Sequence, residues 1–205
     1  MPFCCSRVPR LLRPRAPSMH NRLMPHEFST SYLKDAIALL RYYKKLAERA
    51  MSQTPDDALF AVPDPESNCI AIIVKHLSGN MRSRWTDFLA TDGEKPDRNR
   101  DSEFLSPPST RTELLSLWDS GWNCLFSALD SLTESDLARQ VTIRGEPHSV
   151  LQAINRQLAH YPYHVGQIVF LARHYSGGCW TALTVPRGQS VAFNASMAAR
   201  QAPPR

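Results

Sequence analysis

No apolar stretch in this chain approaches the ~20 residues that a helix needs to cross a bilayer. A secretory signal is missing too, because the first 26 residues offer little beyond Leu11-Leu12 where an apolar core would stand. Acidic residues are absent from that same stretch, which holds Arg7, Arg10, Arg13, Arg15, Arg22 and five prolines. The prolines argue against the amphipathic helix of an organellar transit peptide. No C-x-x-C occurs, and the five cysteines (Cys4, Cys5, Cys69, Cys124, Cys179) are odd in number. A disulfide framework is therefore disfavoured, and reduced thiols in a cytoplasm are the expectation. Cys69 precedes His76 by seven residues, about 10 Å along a helix, too far to share an ion. There is no internal repeat.

The missing N-terminal acids account for the whole charge imbalance. The net charge is +5, and taking away the five early arginines leaves 19 of the 24 basic residues against 19 acids. A basic face for nucleic acid has little support from that balance. What remains is an ordinary globular composition, 42% apolar and 21% charged, in a chain of 205 residues, enough for one domain with a substantial core. Residues 1–26, rich in arginine and proline, are expected to be a disordered, dispensable extension, with Met19 and Met24 as alternative starts.

Four amphipathic runs follow. The first, near 29–51, carries Leu33, Ile37, Leu40, Tyr43 and Ala47 at helical spacing. The second, near 65–90, is expected to start at Asp64-Pro65-Glu66 and to bury Ile70, Ile73, Leu77, Met81 and Trp85. Residues 91–104 read as a charged surface loop. Thr110 with Glu113 makes a capping box for a third helix, 110–132, and Ser149 with Gln152 another for a fourth, 149–175. Val141-Thr142-Ile143 suggests a short extended piece before the fourth helix. Pro162 predicts a kink or bulge within that helix, and Gly177-Gly178 its end. The tail 180–194 is apolar enough to pack on the bundle, and residues beyond about 196 are expected to be disordered. The fold expectation is an all-α four-helix bundle with one long crossover loop, spanning 27–195.

The stretch QLAHYPYHVGQIVFLARH (157–174) carries three of the seven histidines. Leu151, Ile154, Leu158, Tyr161, Val165 and Ile168 form its core row. His160, His164, Gln167, Leu171 and His174 form a second row beside it. His160 and His164 stand one turn apart, so their imidazoles can converge on one ion. Taken alone, such a pair is more often two ordinary polar residues than a metal site, and a third nitrogen decides the matter. His76, beside the core row of the second helix, is the best candidate. The residue after His160 is Tyr161, so the protease signature H-E-x-x-H is absent.

Three segments, VKHLSGNMRSRWTDFLATDGEK, HYPYHVGQIVFLARH and WTALTVPRGQSVAFN, together resemble the DinB-like (damage-inducible, YfiT-like) metal-binding four-helix bundles over about residues 27–194. The resemblance implies that His76, His160 and His164 are metal ligands. It also implies, as one function class, transfer or isomerisation chemistry that uses a low-molecular-weight thiol. The expected cofactor is one divalent ion, zinc, nickel or iron, since imidazole suits all three. Asn80 and Gln167, each within a turn of a ligand, are candidates for contacts behind the ligands or to substrate. His174 and His148 are expected to take no part. No carboxylate lies one turn from a ligand on its own helix, which favours thiol activation over hydrolysis unless a loop supplies the acid. A metal-dependent hydrolase and a non-catalytic metal-binding or interaction module stay open beside the thiol reading. The partners expected are a small-molecule thiol, an electrophile and, for assembly, a second copy of the chain. Nucleic acid and membrane are not among them.

Overall fold

The computed structural model describes residues 29–201. The arginine-rich extension, Cys4, Cys5, the alternative starts and residues 202–205 lie outside the described residues. Four helices form the body: α1 (Tyr32–Met51), α2 (Ile70–Trp85), α3 (Arg111–Asp130) and α4 (Val150–Ser176). A two-stranded antiparallel hairpin, β1 (Gln140–Ile143) and β2 (Glu146–Ser149), precedes α4, and a fifth helix, α5 (Ser190–Gln201), ends the described chain. The class is all-α. None of these helices is long and apolar enough to cross a membrane.

Each of the four body helices starts where a side chain can accept from the free N–H groups of the first turn. Ser31 accepts from Lys34, Thr110 from Glu113 and Ser149 from Gln152. The Ser149 box is reciprocal, with Gln152 reaching back to the Ser149 N–H at 2.8 Å. At α3 the return arm reaches one residue further, as Glu113 accepts from the Ser109 N–H at 2.8 Å.

The second helix departs from expectation at both ends. Asp64 is consumed in its own turn, accepting from the Glu66 N–H and the Ser67 hydroxyl. The helix begins five residues later, capped by the Cys69 thiol, which accepts from the Ile72 N–H at 3.4 Å. It stops at Trp85 because Thr86 is extended and Asp87 takes a φ of 47°. Phe88 then folds back, its ring 4.6 Å from that of Trp85.

Helix α2 is buried on nearly every side, as expected of an element at the centre of a bundle. It packs on α3 and α4, while α1 packs on α4 and, more lightly, on α3. The consecutive pairs α1/α2 and α3/α4 therefore sit across the diagonals. The long 52–69 connection and the 131–149 connection, with its hairpin, both cross, where one crossover was expected. Leu40, Leu77, Leu114, Trp118, Trp122, Tyr161 and Ile168 fill the shared core.

Helix α4 runs unbroken through Pro162, although that residue cannot donate to the Leu158 carbonyl. It ends at Gly177, whose φ of 54° suits glycine. Leu183 and Trp180 pack onto the core, and Arg49 donates to the Leu183 carbonyl at 2.8 Å. Beyond them the chain turns helical again. Helix α5 continues to Gln201, past the point where order was expected to end, and among its described residues none is buried.

Candidate metal centre

His76 reaches the site because α2 is central: the residue is 4% exposed and its ring faces α4 from the middle of the bundle. His160 and His164 come from successive turns of α4. Their row lies just off the buried stripe formed by Ala153, Ile154, Gln157, Tyr161, Val165 and Ile168, so both rings are half-buried. One nitrogen from each of the three rings falls within 4.8 Å of the others. Ring centroids lie 4.9 Å apart for His76 and His164, and 4.8 Å apart for His160 and His164.

The Nδ1 atom of every ring faces an acceptor oxygen. His76 Nδ1 lies 2.7 Å from Glu103 Oε2, His164 Nδ1 2.7 Å from Gln167 Oε1, and His160 Nδ1 3.3 Å from Gln157 Oε1. A proton on each Nδ1 satisfies these contacts and leaves each Nε2 with a free lone pair. His76 Nε2 and His160 Nε2 then face one another at 3.4 Å. Two lone pairs at that range repel unless a cation lies between them. Two nitrogens bound at about 2.0–2.1 Å with a tetrahedral angle would be separated by about 3.4 Å. Three imidazole donors, each with its second nitrogen committed, fit zinc, nickel or iron equally.

Electrostatics point the same way. Burial pushes the His160 pKa down to about 3, with the neighbouring imidazoles adding to the effect. Burial also lowers that of His164, outweighing the Gln167 hydrogen bond. Both rings are therefore neutral at physiological pH, the form that binds metal. Burial raises the pKa of Glu103, but hydrogen bonds from His76 and Arg98 and the charge of Arg98 outweigh it and hold the carboxylate ionised.

Glu103 is the residue that sequence reasoning missed. It lies on the 3₁₀ turn Asp101–Phe104, inside the stretch read as a surface loop, and it is buried. Phe104 stacks on the His76 ring at 4.8 Å between centroids. Nothing local marks either residue, because the turn contacts α2 through tertiary packing alone. Gln157 was also passed over, although its spacing of three from His160 mirrors that of Gln167 from His164.

Asn80 is turned into the core. It accepts from the Tyr161 hydroxyl at 3.1 Å, and Tyr161 accepts from Trp85 Nε1 at 3.0 Å. That chain ties α2 to α4 one turn from the histidines. His174 is exposed, and His148 lies on β2, bonded to the Glu146 carbonyl.

Beside the site, between Ile73 of α2, the 63–68 loop and α4, opens a pocket of about 670 Å³. Tyr163, Gln167 and Phe170 form its α4 wall, and among the described residues its only charged lining residues are Asp64 and Glu66. Gln167 joins pocket and site, accepting from His164 and donating to the Tyr163 hydroxyl at 3.1 Å.

Residues 27–189 match the sequence family described as "Protein of unknown function (DUF1572)". No curated protein matches the chain. Among solved structures, a crystal structure of a conserved protein from Enterococcus faecalis superposes with a TM-score of 0.55 at 13% identity, covering 73% of this chain and 99% of that one. At that identity the likeness shows the fold alone.

Proposed function

The chain belongs to the DUF1572 family, whose description assigns no activity, and we propose that it is a divalent-metal-binding protein whose three-histidine site activates a low-molecular-weight thiol for transfer to an electrophile. The observation that carries this reading is the convergence of one ring nitrogen from each of the three histidines while each Nδ1 faces its own acceptor. The DinB-like resemblance of the three quoted segments supplies the class of chemistry. A divalent ion held by neutral imidazoles keeps its full charge and lowers the pKa of a thiol beside it. Thiolate is the form that attacks in S-transfer.

The disposition of acids supports thiol activation over hydrolysis. Among the described residues the one carboxylate bonded to a histidine of the site, Glu103, has both oxygens engaged by His76 and Arg98. It holds a ring and is not available as the base that hydrolysis requires. The pocket offers room for a second substrate. Among the described residues the lining holds Asp64 and Glu66 and no basic side chain, which suits a neutral or cationic electrophile and disfavours an anionic one. Tyr163 and Phe170 provide apolar ring surface, and Gln167 holds His164 at its edge.

Metal analysis of protein purified without a histidine tag, followed by a screen of thiols against electrophiles, tests this. Stoichiometric metal with thiol-dependent consumption of a neutral or cationic electrophile supports the proposal. Metal without any turnover overturns the transfer reading and leaves a non-catalytic metal-binding module.

A further inference from the structure

The acid that braces His76 comes from none of the helices that carry the ligands. Glu103 lies 27 residues beyond His76, on a turn within the charged loop. Its Oε1 accepts from Arg98 Nε at 2.8 Å, and its Oε2 accepts from Arg98 Nη2 at 3.0 Å as well as from His76 at 2.7 Å. The Arg98 side chain is only 5% exposed. A two-pronged guanidinium–carboxylate pair of this kind is short and directional, so it fixes the carboxylate in place. The pair is anchored in turn. Arg98 also donates to Glu94, and Glu94 accepts from Arg84 at 2.8 Å and from Arg144 at 3.1 Å on the hairpin turn.

A second, independent observation lies on α2. A Cβ placed on Gly79 would stand 2.5 Å from Glu103 Oε1 and 2.8 Å from its carboxyl carbon. Gly79 is one turn from His76, and any side chain there would occupy the carboxylate's position. The helix gives up helical propensity at this residue, and what enters the space is Glu103.

We propose that Glu103 is a positioning residue for His76. Locked by Arg98 and admitted by the bare Gly79, it keeps the His76 proton on Nδ1 and turns Nε2 toward His160 and His164. The amide partners of His160 and His164 are neutral, so His76, backed by an anion, is the strongest donor of the three. The metal-affinity consequence rests on the three-histidine reading above. The effect on the His76 ring does not.

Two variants test the proposal in the full chain. Glu103→Gln keeps the size of the side chain and an acceptor oxygen but removes the charge. Gly79→Ala leaves every charged group in place and pushes a methyl into Oε1. The first readout is the nitrogen NMR signature of the His76 ring in metal-free protein. A single Nδ1–H form is expected in the parent and a mixture of tautomers in Gly79→Ala, with His160 and His164 unchanged, whereas Glu103→Gln, whose amide oxygen can still accept, is read by its affinity. The second is zinc affinity by competition with a chromophoric chelator, expected to fall about 10–100-fold in Glu103→Gln. Melting curves confirm folding, and if one variant does not fold, the other decides. A His76 ring that keeps its single tautomer in folded Gly79→Ala overturns the proposal, as does a zinc affinity of Glu103→Gln within about twofold of the parent. If the parent binds no zinc while the tautomer still responds, the positioning role stands and the metal reading fails.

Discussion

His160 and His164 take their ring partners from their own helix, Gln157 three residues before the one and Gln167 three residues after the other, whereas His76 takes its partner from a loop 27 residues away. The α4 half of the site is neutral, half-buried and braced within one helix. The α2 half is buried and ionic, and it depends on a chain of pairs reaching the hairpin turn. An intrahelical brace forms whenever the helix forms. A remote one requires the loop to be folded and the carboxylate to be desolvated only once its partners are in place. The two halves should therefore respond differently to perturbation.

The largest effect is expected from removing a ligand outright. His76→Ala, His160→Ala and His164→Ala should each abolish stoichiometric metal, while His174→Ala and His148→Ala retain it, as read by metal analysis of tag-free protein. Full occupancy in His76→Ala would dissolve the comparison, since α4 alone would then hold the ion.

Next comes the link between the halves. Tyr161→Phe leaves Trp85 Nε1 without its acceptor and Asn80 Oδ1 without the hydroxyl that donates to it, inside the core. The expected loss is about 1–3 kcal/mol in denaturant unfolding. Metal stoichiometry should be unchanged, because none of the three ligands is hydrogen-bonded to this chain.

The α4 half also predicts a pH dependence. The His160 pKa is held down at about 3 against 6.5 for an ordinary histidine, and that of His164 is lowered as well. Between those values the unfolded chain binds protons that the folded chain refuses. The stabilisation is thus fully present above pH 6.5 and is lost as pH falls toward 3. Urea midpoints of metal-free protein should drop across this window, and less steeply in His160→Asn. Equal slopes would show that the ring is not desolvated as described.

The smallest effect should come from the neutral braces. Gln157→Leu and Gln167→Leu are each expected to weaken metal binding by about tenfold, the low end for such partners. Glu103→Gln should cost more. If the glutamine variants proved the more damaging, the anionic brace would not be the stronger of the two.

Much of this was readable along the chain. The row of α1, the Thr110 cap of α3, the reciprocal box at Ser149, the extended piece at 141–143 and the glycine stop of α4 all follow from spacings of two to four residues. The start of α2 was misread for a physical reason. Asp64 can satisfy N–H groups in a closed turn as readily as in a helix, and the local sequence does not say which. Asn80 was placed near the ligands by spacing alone, yet α2 is buried on nearly every side, so a polar residue on it finds its partner wherever the packing supplies one.

By itself, then, the sequence determined the four body helices, the caps of α3 and α4 and the pairing of His160 with His164, because a helix repeats every 3.6 residues and sets those relations within one turn. Only the tertiary structure decided that α1 and α2 sit across a diagonal, that His76 faces the pair, and that Glu103 and Arg98 stand behind it. Those contacts join residues far apart in the chain. Their partners are chosen by burial and by the exclusion of unpaired charge from the core, and no spacing along the sequence records that choice.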